Sequence, residues 1–339
     1  MNKLHPLYLE DIKNIINIDR IDVLKGKSIL ISGATGLLGV NLIDALMSIG
    51  NVAVYAIGRS KTKATNRLGE YFDNPMFNFI EQDVRDPLPS TLNIDYIIPL
   101  ASNTHPLAYS QYPIETIEIN VKGIEHALQL AERCNATVIY PSSVEIYGNA
   151  VNEDVFTEDY TGILNLSTSR ACYTESKRVA EALCQSYISE RGVDVKIVRL
   201  SRIFGPTMLE SDSKASSQFI SKAVNEEDII LKSEGNQYFS YTYVADAVAA
   251  LLYVMTHGKC GEAYNISNEK CNVHLKEFAE ICAGYNGKKV VFDIPSEAER
   301  KGYSIATQAI LDNSKLKTLG FIPNYEIKDA IYRTIEILK

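Results

Sequence analysis

The sequence predicts an α/β fold in which a doubly wound parallel sheet is followed by a smaller, mixed α/β C-terminal lobe. Through the first 200 residues of the 339-residue chain, short apolar runs alternate with helical stretches. This alternation is typical of a parallel sheet that is covered by helices on both faces. The first apolar run, residues 27–32, leads directly into a glycine-rich loop. After about residue 201 the alternation loosens, which indicates the second lobe.

The predicted elements follow in order along the chain. Residues 9–24 carry apolar side chains at helical spacing and predict an N-terminal helix that packs on the main fold. Strands are then predicted at 27–32, 52–57, 77–82, 95–100, 137–141 and 195–200, and helices at 41–49, 113–134, 172–191, 218–224 and 245–256. We therefore expect a helical extension (1–25), a main domain (26–200) and a smaller lobe (201–339) with segments that cross back to the main domain.

Composition excludes several classes of protein. The chain is 46% hydrophobic and 22% charged, with a net charge of −8, so it has no positive surface field for nucleic acid. No apolar stretch approaches the ~20 residues that a membrane helix needs, and the charged N-terminal stretch lacks the apolar core of a signal peptide. The six cysteines have no paired spacing. We therefore expect free thiols in a cytoplasmic protein, with no metal, nucleic-acid or membrane partner.

The glycine loop predicts dinucleotide binding. Gly33, Gly36 and Gly39 follow the first predicted strand and begin a helix. Glycines let the backbone turn tightly and approach a pyrophosphate, whose charge is stabilised by the N-terminus of the helix. This is the arrangement of a Rossmann fold. The predicted contacts of the loop are Gly33, Thr35, Gly36, Leu37, Leu38 and Gly39.

The end of the second strand leaves NAD and NADP both open. An acid is expected there for NAD, because a carboxylate accepts hydrogen bonds from the ribose 2′-OH. This chain instead has Arg59 followed by Ser60. Arg59 can hold a 2′-phosphate, stack on adenine or face water. Asp83 and Val84, after the third strand, are the predicted adenine contacts, with an aspartate satisfied within its own loop as the alternative.

Tyr173 and Lys177 lie one turn apart on a predicted helix and therefore share a face. The pKa of a free tyrosine lies near ~10, which is too high for a base at neutral pH. A neighbouring ammonium favours the phenolate and lowers that pKa. Together with the glycine loop, the pair predicts hydride transfer at a sugar-like alcohol, with Tyr173 as the base.

These motifs resemble those of the extended short-chain dehydrogenases/reductases, the family of nucleotide-sugar epimerases, dehydratases and decarboxylases. The resemblance covers residues 27–338. Further matching segments lie in family order, namely Leu100, Ala101 and Ser102 beside the cofactor, the helix asparagine Asn120, the strand end at 141–148, and the segments 202–206 and 317–323. The resemblance implies NAD(P) bound by residues 26–200, a nucleotide-sugar substrate bound by 201–339, and a homodimer formed through helices 113–134 and 172–191.

Within this family, residues 170–184 most resemble those of UDP-glucuronate decarboxylases, and Ser143 and Glu145 match a serine/threonine and glutamate pair of those enzymes. In the implied reaction, Tyr173 takes a hydroxyl proton while hydride leaves C4 of the sugar. The 4-keto sugar then loses its C6 carboxylate as carbon dioxide, and the hydride returns. The catalytic residues implied are Ser143, Glu145, Tyr173 and Lys177. The substrate contacts implied are Ser102, Ser143, Glu145, Arg202, Lys214, Gln218 and Arg300.

Two departures from the decarboxylase pattern concern the binding of the substrate. Those enzymes carry an arginine where this chain has Phe239, which cannot pair with a carboxylate or a pyrophosphate. The segment around Arg300 also differs, although Arg300 could supply a substitute charge. We therefore expect the substrate to be anchored differently, and UDP-glucuronate or a related sugar acid is the predicted substrate.

Other reactions of the same machinery stay open. A 4-epimerase needs only the serine or threonine and the tyrosine, and it leaves Glu145 without a role. A 4,6-dehydratase usually has a proton-donating aspartate where this chain has Val144. A reductase is a further alternative. A dinucleotide-binding regulator without catalysis is the non-enzyme alternative, against which the intact Ser143, Tyr173 and Lys177 argue.

Overall fold

The computed structural model of the chain describes residues 1–149, 155–294 and 308–339. The strands are β1 (Ser28–Ser32), β2 (Ala53–Gly58), β3 (Phe77–Glu81), β4 (Tyr96–Pro99), β5 (Thr137–Ser143), β6 (Val195–Leu200), β7 (Arg202–Phe204), β8 (Ile229–Leu231), β9 (Tyr238–Tyr243), β10 (Ala263–Ile266), β11 (Asn272–His274), β12 (Val290–Phe292) and β13 (Gln308–Ala309). The helices are α1 (Pro6–Ile16), α2 (Leu37–Ile49), α3 (Lys61–Leu68), α4 (Pro106–Gln111), α5 (Pro113–Cys134), α6 (Ala171–Arg191), α7 (Ala215–Val224), α8 (Val244–His257), α9 (Leu275–Gly284), α10 (Ser314–Leu319) and α11 (Ile327–Leu338).

The main sheet is parallel and has the order β3-β2-β1-β4-β5-β6-β10. The order reverses between β1 and β4, where the chain passes from one half of the sheet to the other. In open parallel sheets, ligands bind beyond the carboxyl ends of the strands at this reversal. The predicted α/β fold with a doubly wound parallel sheet and a smaller mixed lobe is confirmed.

Both faces of the main sheet are buried, because successive side chains of a strand point to opposite faces. On β1, Ile29 and Ile31 pack in the core on the face covered by α1, α2 and α8, whereas Leu30 packs on the face covered by α5 and α6. All three side chains are buried. The nearly continuous apolar runs in the sequence therefore come from strands that are covered on both sides.

The smaller lobe is built on β9, which pairs with β7, β11 and β13. A second small sheet joins β8 and β12. Although β10 lies between β9 and β11 in the chain, it pairs with β6 at the edge of the main sheet. The division of the chain at residues 25/26 and 200/201 stays a prediction.

The N-terminal segment differs from its prediction as a single helix over residues 9–24. Helix α1 begins earlier, at Pro6, where the side chain of His5 accepts a hydrogen bond from the Leu7 amide, and it ends at Ile16. Arg20 then takes a left-handed conformation before a separate 3-10 turn, Ile21–Leu24. A left-handed residue cannot continue an α-helix, so the apolar pattern is divided between two elements.

Helix α1 is tied to the smaller lobe by the buried carboxylate of Asp11. This carboxylate accepts hydrogen bonds from the hydroxyls of Tyr243 and Tyr325 and from the guanidinium of Arg333. The same helix packs against α2 and α8 of the main fold. Of the helices in the described ranges, none combines the length and the hydrophobicity that a bilayer span requires.

Candidate active site

The glycine loop connects β1 to α2 at the reversal point of the main sheet. Gly33 has φ of +66°, and a Cβ atom there would lie 2.7 Å from the Ala101 amide nitrogen. A Cβ on Gly39 would lie 2.5 Å from the Gly33 carbonyl oxygen. Both positions therefore require glycine. Gly33 has a left-handed backbone and lies close to the segment after β4, whereas Gly39 lets the first turn of α2 pack against the loop.

The middle glycine, Gly36, is the N-cap of α2 and has no side chain to satisfy the first amides of the helix. Free helix N-terminal amides beside a bare backbone can bind an anion such as the pyrophosphate of a dinucleotide. Thr35 lies in the loop, Leu37 and Leu38 are the first two residues of α2, and all three are half-buried. The loop therefore fits the cofactor that the sequence predicts.

A chain of side-chain hydrogen bonds joins the segment after β4 to helix α6. The hydroxyl of Ser102 donates to Asn120 Oδ1 at 2.7 Å, and Asn120 Nδ2 donates to Ser176 Oγ at 2.8 Å. Ser176 in turn donates to the carbonyl oxygen of Tyr173 at 3.0 Å. Leu100 and Ala101 precede Ser102, and the Ala101 amide donates to Ser32 Oγ at 3.2 Å.

This chain of bonds fixes the position of α6 relative to the loops at the ends of β1 and β4. Ser176 is one of the residues that the sequence analysis missed. The signal was its place one turn after Tyr173, on the same side of the helix.

Burial raises the pKa of Tyr173 above its ordinary value, and Ser143, the last residue of β5, acts in the opposite direction as a hydrogen-bonding neighbour. Lys177 Nζ donates instead to the carbonyl oxygen of Pro141 at 2.8 Å. We expected Lys177 to lower the pKa of Tyr173. In the protein alone this expectation is wrong, because burial raises that pKa and Lys177 is not among the groups that lower it.

Lys177 is a buried cation whose pKa burial lowers to about 8, although Glu181 acts to raise it. It lines one small cavity together with Ser32, Ala101 and Asn120. The lysine therefore shares this space with the ends of β1 and β4, where the glycine loop lies.

Glu145 is placed beside Ser143 by a short 3-10 turn, Val144–Tyr147, for which Ser143 is the N-cap. The Glu145 amide donates to Ser143 Oγ at 3.2 Å. Glu145 Oε1 lies 3.7 Å from Arg202 Nη2, and the Glu145 charge acts to raise the pKa of Tyr173. Val144 points the other way and is buried in the core. The structure therefore brings Ser143, Glu145, Tyr173 and Arg202 together.

Tyr109 and Arg170 join this group, although the sequence analysis missed them. The rings of Tyr109 and Tyr173 stack with centroids 5.5 Å apart, and the Arg170 guanidinium lies 5.9 Å from the centroid of Tyr109. Burial raises the pKa of Tyr109 to about 12. Tyr109 lies on α4, a helix of six residues that is too short to show a helical period, so the only local signal was Pro106 at the start of the helix.

Other predicted residues have partners of their own. Arg59 Nη1 lies 2.6 Å from Glu115 Oε1 on the protein surface. Asp83 is paired with Arg85, and this pairing lowers the pKa of Asp83. The charge of Arg59 also lowers that pKa, to a smaller extent. Val84, next to Asp83, is buried and lines the same small cavity as Lys177.

Lys214 and Gln218 are placed together near the start of α7. Lys214 Nζ lies 3.3 Å from the Asp212 carboxylate, and the Gln218 side chain donates to the Asp212 carbonyl oxygen at 2.7 Å. Their contacts in the described ranges are therefore with this loop rather than with Tyr173. Arg300 lies outside the described residues. Within the described ranges, no group of three or more His, Cys, Asp or Glu side chains is arranged to hold a metal ion.

Comparisons with known proteins agree with this geometry. The model of the NAD dependent epimerase/dehydratase family matches residues 29–267. UDP-glucuronic acid decarboxylase 6 of Arabidopsis thaliana is 34% identical over 307 residues, which are 89% of this chain and 86% of that protein. UDP-glucuronic acid decarboxylase 1 of Xenopus tropicalis is 30% identical over 317 residues, which are 92% of this chain and 72% of that protein.

Among solved structures, UDP-glucuronic acid 4-epimerase from Bacillus cereus, in complex with UDP-glucuronic acid and NAD, has the same fold. The TM-score is 0.79 at 21% identity, and the match covers 92% of this chain and 98% of that one. This likeness supports the fold.

Proposed function

The chain belongs to the NAD dependent epimerase/dehydratase family, and from this membership we propose that it decarboxylates a nucleotide sugar acid of the UDP-glucuronate class. The observation that carries the proposal is the double role of Ser143. Its side chain acts to lower the pKa of Tyr173, and its hydroxyl accepts a hydrogen bond from the Glu145 amide. A base and a carboxylate therefore meet at one point beside the cofactor loop. The relatives named as decarboxylases match nearly the whole chain.

The cofactor is NAD, which the loop containing Gly33, Gly36 and Gly39 would hold together with Lys177. Bound there, NAD supplies a hydride acceptor for the sugar alcohol and returns the hydride at the end of the cycle. Lys177 places a positive charge at this end of the site. Since its pKa is about 8, most of that charge is present at neutral pH.

Tyr173 removes the proton from the C4 hydroxyl of the sugar, and Ser143 orients the phenol for this transfer. A C4 ketone forms only when the C4 hydride has also passed to the cofactor, and this ketone lies β to the C6 carboxylate. When the C5–C6 bond breaks, carbon dioxide leaves and the electron pair passes to the C4 oxygen, which gives an enolate. The enolate then takes up a proton from water at C5. Glu145 lies on the side of Tyr173 that faces Arg202 and is the carboxylate proposed to act at C5 and C6.

A 4-epimerase is the second candidate, because one observation favours it. Glu145 already has an ion-pair partner in Arg202, at 3.7 Å, so the carboxylate can be a structural feature of the site. Dehydration has less support. Where a dehydratase usually has an acid, Val144 is apolar, and its side chain is also buried in the core, away from the site.

Product mass separates these reactions. The protein loaded with NAD is incubated with UDP-glucuronate and, separately, with UDP-glucose, and the products are identified by mass spectrometry and NMR. Loss of carbon dioxide from UDP-glucuronate is the expected result. An isomer of unchanged mass would establish epimerisation instead, and a product lighter by one water would establish dehydration.

The Glu145→Gln variant tests the role proposed for the carboxylate. It should slow decarboxylation strongly while hydride transfer continues, so that absorbance of reduced cofactor accumulates in a single turnover. Glu190→Gln is the matched control, since Glu190 is exposed at the end of α6 and pairs with Arg191. Full activity of Glu145→Gln would contradict the proposal.

We also propose that the protein is a homodimer. Large apolar side chains remain exposed on the two helices that the family resemblance assigns to the interface, namely Ile114 and Ile117 on α5 and Val179 on α6. Their exposed fractions are 76%, 44% and 49%. Light scattering should give twice the mass of one chain, and Ile117→Asp should give a monomer. A monomeric wild-type protein would contradict this proposal.

A cytoplasmic location is proposed on the state of the cysteines. Cys134, Cys172, Cys184, Cys260, Cys271 and Cys282 are all free thiols. Free thiols are typical of a reducing compartment. Fractionation of cells that express the protein tests the location.

A further inference from the structure

Arg202 presents a planar cation with a fixed orientation at the edge of the candidate active site. It is the first residue of β7, and its guanidinium carbon lies 3.5 Å from the centroid of the Phe239 ring. Phe239 is only 5% exposed and belongs to β9, the neighbouring strand. An arginine stacked on a buried ring loses little further freedom on binding, and the edges of its guanidinium stay available for hydrogen bonds.

The hydrogen-bonding groups of this guanidinium are incompletely satisfied. Nη2 lies 3.7 Å from Glu145 Oε1, which is an ion pair but is longer than a hydrogen bond. Nη1 is shielded from solvent and has no hydrogen-bond partner in residues 1–149, 155–294 and 308–339. Leaving a buried donor unpaired costs free energy. The Arg202 side chain nevertheless keeps 21% of its surface exposed beside Glu145, and this exposed part of the guanidinium can meet an acceptor that comes with the ligand.

The neighbours of Arg202 show which part of a substrate would meet it. Burial raises the pKa of Tyr109, and the charges of Arg170 and, less strongly, Arg202 oppose that effect. The Tyr109 ring stacks on Tyr173, the proposed base, and Glu145 is the carboxylate proposed to act at C5 and C6. Arg202 is thus next to the groups assigned to the sugar rather than to the cofactor loop.

We propose that Arg202 binds the carboxylate of the sugar acid and thereby selects acidic over neutral nucleotide sugars. This inference rests on the proposed function, whose substrate class it specifies. The planar pair of guanidinium donors matches the two oxygens of a carboxylate. The cation also separates the substrate carboxylate from Glu145, which would otherwise repel it. The positive charge comes from β7 and lies over Phe239.

The test is binding of substrate by a protein that cannot turn it over. In a Tyr173→Phe background loaded with NAD, calorimetry measures the affinities of UDP-glucuronate, UDP-glucose and UDP for the Arg202→Gln and Arg202→Lys variants. Loss of a charge-assisted hydrogen bond predicts about 10- to 150-fold weaker binding of UDP-glucuronate to Arg202→Gln. UDP-glucose and UDP should lose less than about threefold, and Arg202→Lys should lie between wild type and Arg202→Gln because a lysine keeps the charge without the fork.

Arg191→Gln is the matched control, because Arg191 is exposed and also forms a 3.5 Å ion pair, with Glu132. It should change none of the three affinities. NAD affinity and the unfolding midpoint show that each variant is folded, and if Arg202→Gln does not fold, Arg202→Lys carries the comparison.

Three results would overturn the inference. An equal loss for UDP-glucuronate and UDP would assign Arg202 to the diphosphate. Unchanged affinities would make it structural. Full recovery of UDP-glucuronate binding in the Arg202→Gln/Glu145→Gln double variant would mean that Arg202 only neutralises Glu145. Failure of the proposed function has a separate signature, namely that the wild type releases no carbon dioxide from UDP-glucuronate.

Discussion

Replacement of Gly36 by aspartate should abolish NAD binding while the fold is kept. Gly36 has φ of −83°, which every amino acid can adopt, and a Cβ atom there would lie 3.2 Å from the Gly33 carbonyl oxygen, a tight contact that a small shift of the loop relieves. It is also the N-cap of α2, a position that favours aspartate. Gly33 is the contrasting case, because its φ of +66° and its 2.7 Å approach to Ala101 would strain the backbone of any variant.

The size of the effect follows from charge. An aspartate at the N-cap would place a carboxylate where the pyrophosphate is expected and would occupy the helix amides itself. Two like charges ~4 Å apart at an effective dielectric constant of ~20 repel each other by about 4 kcal/mol. This corresponds to roughly a thousandfold loss of affinity.

Calorimetric titration with NAD measures the loss, and Gly36→Asn is the matched control of equal size without the charge. Asparagine and aspartate are comparable N-cap residues, so the unfolding midpoints of the two variants should agree closely. Gly36→Asn should lose much less affinity than Gly36→Asp. A folded Gly36→Asp protein with wild-type NAD affinity would refute the reasoning, and equal losses for the two variants would show that bulk rather than charge is responsible.

The remaining predictions concern single side chains of the site and its border. Tyr173→Phe should reduce turnover by about 100- to 10,000-fold with little change in substrate affinity, because a base acts on the proton in the transition state. Steady-state kinetics measures the turnover, and calorimetry measures the affinity. If the variant kept more than about a tenth of wild-type activity, another residue would have to be the base. Lys177 has its folded-state pKa lowered from 10.5 to about 8, so between these pH values the unfolded chain holds a proton that the folded chain does not. The free energy of unfolding should therefore rise with pH over this interval, by at most about 1.4 kcal/mol per pH unit, and Lys177→Met should lack that rise in denaturant titrations; identical pH profiles would show that Lys177 is not the group responsible. Arg59→Ala should change NAD affinity by less than about threefold, because Arg59 is 57% exposed and already paired with Glu115. A tenfold loss of NAD affinity, or tighter binding of NADP than of NAD by the wild type, would instead assign Arg59 a direct role at the ribose.

The main sheet could be predicted because its signals are local. The run that forms β1 leads into glycines whose conformations only glycine can supply, as Gly33 shows. Long helices such as α5 extend over enough turns for their ends to be predicted at residues 113 and 134. In these segments the spacing of apolar residues and the turn residues predict the same buried faces and chain reversals that the tertiary structure has.

The remainder depended on contacts between distant residues. No local pattern states that β10, a strand of four residues, joins the edge of the main sheet rather than the smaller lobe. From the sequence, Phe239 indicated only that a positive charge expected to bind an anion is missing. The pairing of β7 with β9 places the Arg202 guanidinium over the Phe239 ring. The high pKa of Tyr173 likewise arises from burial, which the one-turn spacing to Lys177 does not report.

The contacts of Asp11 have a consequence for the order in which the protein can be made. Its buried carboxylate is synthesised more than 300 residues before Tyr325, which donates a hydrogen bond to it, and Arg333, which neutralises it. A buried carboxylate without its cation is strongly destabilising. Helix α1 therefore has no stable place on a nascent chain that ends before residue 333, and its docking is a late step, completed only after synthesis of α11.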